Sequence, residues 1–152
     1  MLILTILHIL AMFVAFAFTT GVGILAVAVA NSGDVRTIRV MTRVVTPFLR
    51  AGTWILLAGV IFGFGTASAE GYALGSKWLI TAYVLVILIF GIGAGVHQAW
   101  LRRLASAAAA SPEDQRSAEL VAVTQDRTAR IAGPISGLLW IAVIVVMVLK
   151  PW

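Results

Sequence analysis

Cysteine is absent from the 152 residues, and acidic residues number only six. Without thiols the chain has no disulfides, no thiolate metal site and no covalent haem attachment through a cysteine pair, so any metal must be held by His or Met. The acidic residues Asp34, Glu70, Glu113, Asp114, Glu119 and Asp126 all fall between the apolar runs and none within them. Paired intramembrane carboxylates are therefore missing, which argues against acid–base catalysis of that kind and against a proton-coupled transporter. The sequence also lacks HExxH, a phosphate-cradling GxxxxGK and a nucleophile elbow. GFGTASAEG, residues 63 to 71, is rich in glycine but follows an apolar helix, so it is no nucleotide loop. No catalytic constellation is legible.

What is present is apolar side chain. Hydrophobic residues make up 61% of the chain and charged residues 11%, with a mean hydropathy of +1.05, more apolar surface than a soluble domain of this length can bury. Four runs, residues 2–30, 47–67, 78–100 and 131–149, are long enough to cross a hydrocarbon core of roughly 30 Å as helices. Turn clusters and polar alternation are too few for a membrane β-barrel, and no unit of roughly 20 to 50 residues repeats. The expected fold is all-α: a polytopic membrane protein, one domain over residues 1–152, forming a four-transmembrane-helix bundle. AVAVAN at residues 26–31 offers a small-residue pattern of the cleavable kind. No Lys or Arg precedes it, however, and the run is about twice a signal core, so the first span is expected to be retained.

The excess of positive charge, +5, has a topological explanation. Arg36, Arg39, Arg43 and Arg50 flank the first connection, and Arg102, Arg103, Arg116, Arg127 and Arg130 the third; only Lys77 and Lys150 lie elsewhere. The positive-inside rule then places connections one and three in the cytoplasm and both termini outside, in the inner (plasma) membrane of a cell. The partner so implied is the lipid bilayer, anionic lipid included, and not nucleic acid. In NSGDVRTIRVMTRVVT, residues 31–46, the arginines recur on one side of a helix expected to lie along the inner membrane surface. In the third connection Ser111 is expected to cap a cytoplasmic helix over about residues 112–130.

Small residues four apart are expected to bring the helices together: Ala11, Ala15 and Thr19, then Gly59 and Gly63, Gly91 and Gly95, Gly133 and Gly137. His8, in LILTILHILAMF, shares the stripe of Ala11 and Ala15 and is expected to face the bundle interior. It serves there as a hydrogen-bonding clasp to a backbone carbonyl or Thr, or as a ligand or proton-handling group; a place at the lipid interface is the third alternative. His97 lies thirteen residues deeper in a span of the same direction, roughly 20 Å along the membrane normal. Trans nitrogens on one iron are only about 4 Å apart, so the two cannot share a haem. His97 is expected at the inner boundary as a hydrated, snorkelling side chain. Trp78, Trp100 and Trp152 are expected to anchor span ends at the interface. Lys77 and Lys150 share the depth of His8, either snorkelling to headgroups or contacting an anion such as a haem propionate.

The first-span His, GSKWLI at the start of the third span, HQAWLRRL at its end and the terminal VMVLKPW resemble the HemJ type of protoporphyrinogen oxidase. They also resemble the related CopD-type copper-transport membrane domains and an uncharacterised family of bacterial four-span integral membrane proteins, to which TTGVGI and GSKWL are most similar. The resemblance implies His8 as a haem-iron ligand and Lys77 as a second cofactor-binding position, with haem as the cofactor. Two functional expectations follow. One is a structural or accessory four-helix membrane protein that packs against itself or a partner. The other is a haem-binding, HemJ-like membrane redox protein that uses His8.

Overall fold

The computed structural model describes residues 2–151, and all the regular structure among them is helical. The helices are α1 (Leu2–Ser32), α2 (Val35–Ala69), α3 (Lys77–Ala110), α4 (Ala118–Thr124) and α5 (Arg127–Leu149). Four stretches, Leu2–Ser32, Val35–Ala69, Lys77–Ala110 and Ala118–Leu149, are long and apolar enough to cross a membrane. At 1.5 Å per residue each of the first three runs roughly 46 to 53 Å, longer than the hydrocarbon core, so the ends project beyond it or the helices tilt. Large apolar side chains cover the outside: Ile3, Phe13, Trp54, Ile61, Ile87 and Leu138 are all at least 65% exposed. A surface of this kind requires lipid around it.

Local chemistry explains the breaks. Gly33 (φ 74°) takes the left-handed conformation that ends α1, and the Asp34 carboxylate accepts the Thr37 N–H at 2.9 Å to start α2. Ser117 caps α4 by accepting from Leu120 N–H, and Asp126 caps α5 by accepting from Thr128 N–H.

Three expectations about the connections are corrected. Residues 35–46 form no separate surface helix, because α2 runs unbroken through Pro47. The reason is a second stripe on the same turns: Val35, Ile38, Thr42, Val45 and Leu49 are buried at helical spacing in a core shared with Leu101 and Leu104 of α3. The helix expected over residues 112–130 is instead α4, which starts only after Ser117, and the first part of α5. The Ser111 hydroxyl donates to the Ala107 carbonyl (2.8 Å) and closes α3 rather than opening a new helix. Trp78 and Trp100 turn into the protein rather than outward to headgroups, and the Trp100 indole N–H donates to the Val123 carbonyl at 3.0 Å, tying α4 to α3. Trp152 lies outside the described residues.

Regular α winding is interrupted by two π-helical stretches, Ala17–Gly21 in α1 and Gly91–His97 in α3. A π turn inserts a residue and rotates the face that follows. In α1 it buries Thr19 and Thr20 together, and Thr20 Oγ1 meets Ser136 Oγ of α5 at 3.2 Å. In α3 it turns Gly93 and His97 inward and leaves Gly91 and Gly95 facing open space. The close-packing role expected for Gly91 and Gly95 is therefore not found, whereas α1 lies so close to Gly52, Gly59 and Gly63 of α2 that a Cβ at any of them would come within 2.9 Å of Phe18, Met12 or His8.

A candidate binding cleft around His8

The two ends of the bundle differ in packing. At the arginine end the core is dense, built on Ile38, Leu49, Trp100, Leu104 and Leu120. At the other end Leu2–Phe16 packs mainly on α2 and Lys77–Phe90 mainly on α5, with sparse contact between the two pairs. The buried core there is small, consisting of Ala67, Trp78 and Leu79, and a second cluster of Ala15, Leu56, Ile89, Trp140 and Val143 closes the floor between the pairs. A cleft separates the pairs.

His8 stands in that cleft for a reason written into α2. Gly63 leaves no side chain where the imidazole lies: a Cβ there would sit 2.8 Å from His8 Cε1 and 2.9 Å from Nδ1. One turn away, His8 Nδ1 lies 2.7 Å from the Gly59 carbonyl oxygen. A carbonyl only accepts, so Nδ1 carries a proton, and the tautomer with a single proton has its free lone pair on Nε2. The same hydrogen bond that clasps α1 to α2 thus selects the tautomer that a metal-ligating histidine needs.

Two adjoining cavities of about 260 and 450 Å³ share His8, Met12 and Met147 in their walls. The first opens between the helix pairs, against Gly63, Phe64, Tyr72, Trp78 and Tyr83; the second lies between α1 and α5, against Phe13, Phe16, Trp140 and Ile144. Most of the lining is apolar, and the polar side chains in it are His8, Tyr72, Trp78, Tyr83 and Trp140. The Tyr83 hydroxyl and the Trp140 indole N–H are buried without a hydrogen-bond partner among the described residues. Buried polar groups are seldom left so, and both belong to the walls of these cavities. At the rim, Lys150 (φ 43°) donates from Nζ to the Tyr72 hydroxyl at 2.5 Å and lies over the Tyr72 ring, 4.3 Å from its centroid. Tyr72 in turn meets Trp78 edge to face.

Of the residues singled out by sequence, His8 is in the cleft and Lys150 at its rim. Lys77 is exposed and is not part of the cavity walls; its neighbour Trp78 is the residue that turns inward. His97 is not hydrated at a boundary but 2% exposed, with its ring against Gly23, about 3.4 Å from where a Cβ would be, and its Nε2 without a partner among the described residues. Gly23 is fifteen residues along α1 from His8, so the two imidazoles are separated by roughly 22 Å of helix. Sequence reasoning missed Met147, Tyr72 and Tyr83. Met147 stands one turn before Lys150, and matching its depth to that of His8 would have found it.

Four apolar helices, a lipid-facing surface and an apolar cleft define a polytopic α-helical membrane protein. Residues 2–151 match the model of the family described as predicted integral membrane protein (DUF2269), and the chain belongs to that family. No curated protein and no solved structure matches the chain.

Proposed function

We propose that this protein binds a large, flat, mainly apolar cofactor of the haem type in the cleft between its helix pairs, where His8 Nε2 would hold the iron. The observation that carries the reading is the His8 Nδ1 contact with the Gly59 carbonyl, which leaves Nε2 as a donor in a roomy apolar wall. The donor set suits such a group. Met12 and Met147 offer thioethers beside the imidazole, a combination that binds haem iron in other settings. Lys150 and the Tyr72 hydroxyl at the rim suit propionates. Bound haem would supply one-electron chemistry; the chain's own part is to hold the imidazole in one tautomer, exclude water and neutralise the carboxylates. In the membrane, the arginine-rich end lies on the cytoplasmic side and Lys150 outside, the orientation favoured by the distribution of arginine.

Addition of haem to the purified protein in detergent tests the reading. A Soret band shifted from that of free haem is expected for the wild type and for His97→Ala, and its loss for His8→Ala. A structural or accessory role has the His8–Gly59 clasp as its own support. It would show as no shifted band in any of the three proteins.

A further inference from the structure

At the opposite end of the bundle the arginine stripe of α2 borders a groove of about 650 Å³ against α3. Arg39, Arg43, Thr46 and Arg50 recur every three or four residues on its α2 wall, and Ala105 and Ala109, one turn apart, form the α3 wall. The small alanines leave room that longer side chains would fill. Arg39 is already engaged: it donates to the Ala108 and Ser111 carbonyls and pairs with Glu113 at 3.6 Å. Arg43 and Arg50 have no carboxylate partner among the described residues, and neither does Arg102, which meets Arg50 in an adjoining notch. Asp126, an acidic residue on this side, is taken by Arg103 at 2.8 Å. Guanidinium groups gathered around a groove without counter-charge call for an anion with several oxygen acceptors, and phosphate suits their fork geometry.

The surroundings select the source of that phosphate. Val44 and Phe48, one position around the helix from Arg43 and Pro47, are 48% and 43% exposed, and Trp54 is 71% exposed farther along α2. A polar groove bordered by an apolar, lipid-facing stripe matches a headgroup with its acyl chains attached and offers no advantage to a free ion. We infer that the groove between α2 and α3 is a binding site for the phosphate headgroup of an anionic phospholipid, held by Arg43 and Arg50. This site is independent of the cleft around His8.

The test uses the full chain in mild detergent, with native mass spectrometry reading lipid retained after addition of phosphatidylglycerol or phosphatidylcholine. The wild type should retain phosphatidylglycerol in preference to phosphatidylcholine. Each arginine beside an anionic headgroup is worth about fivefold in affinity, so the double variant R43Q/R50Q should bind about thirtyfold more weakly. Arg127→Gln, an exposed arginine outside the groove, should behave as wild type, and thermal melting of all variants without lipid checks that they fold. Equal retention of the two lipids, an undiminished preference in R43Q/R50Q, or an equal loss in Arg127→Gln would overturn the inference. Inorganic phosphate raising the melting temperature as much as phosphatidylglycerol would overturn the assignment to lipid.

Discussion

A methyl group at position 63 provides a sharp test of how α1 and α2 meet. A Cβ on Gly63 would sit 2.8 Å from His8 Cε1, closer than packed carbon atoms approach, so either the helices part or the imidazole swings away and loses the Gly59 carbonyl. Overpacking of this kind costs about 1 to 3 kcal/mol. Loss of the intramembrane hydrogen bond alone costs about 0.6 kcal/mol. Against either stands the benefit of replacing a helical glycine by alanine, about 0.5 to 1 kcal/mol. Gly63→Ala alone should therefore be destabilising by a net of about 0.5 to 2 kcal/mol. In a His8→Ala background the obstruction is gone, and the same substitution should become neutral or stabilising by up to about 1 kcal/mol. Reversible unfolding of the four proteins in mixed detergent closes the cycle. An equal cost of Gly63→Ala with and without the imidazole would refute the packing described here.

Other substitutions probe the remaining contacts. Gly95→Leu faces open space within the π-helical stretch of α3, so its unfolding free energy should stay within about 0.5 kcal/mol of wild type; a larger loss would mean that Gly95 packs against a neighbour. Thr20→Val removes the contact with Ser136 that joins α1 to α5 and should cost about 0.6 to 1.7 kcal/mol in the same assay. Trp100→Phe removes the indole donor to Val123 and should cost about 1 kcal/mol, with faster amide exchange confined to α4. The Thr37 hydroxyl and N–H, bonded to the Asp34 carboxylate, hold its pKa below the ordinary carboxylate value. That cap should be complete above about pH 4 and weaken as the pH falls further, lowering the melting temperature less in Asp34→Asn than in wild type.

The helical class and the four apolar stretches were legible because lipid imposes a simple rule on composition: a run long enough to cross must be apolar and helical. His8 was legible for the same reason, as a polar ring on the small-residue stripe of α1. What escaped was phase. The π-helical stretches Ala17–Gly21 and Gly91–His97 leave no mark in hydrophobic spacing, yet the second decides that Gly93 and His97, not Gly91 and Gly95, face inward. The arginine stripe of α2 concealed a second, buried stripe on the same turns, so residues 35–46 read as a surface helix. Tyr83, Tyr72 and Met147 reach the cleft from other helices, and only tertiary packing brings them to His8.

The central claim is that His8 presents Nε2 to the cleft while Nδ1–H is held by the Gly59 carbonyl, and nitrogen-15 NMR of histidine-labelled protein reads this directly. At neutral pH, the account predicts for His8, assigned by its absence in His8→Ala, a protonated Nδ1 and an unprotonated Nε2 whose resonance changes on addition of haem. The opposite tautomer, with the proton on Nε2 and a bare Nδ1, would contradict it, because that ring can neither donate to Gly59 nor ligate a metal from the cleft.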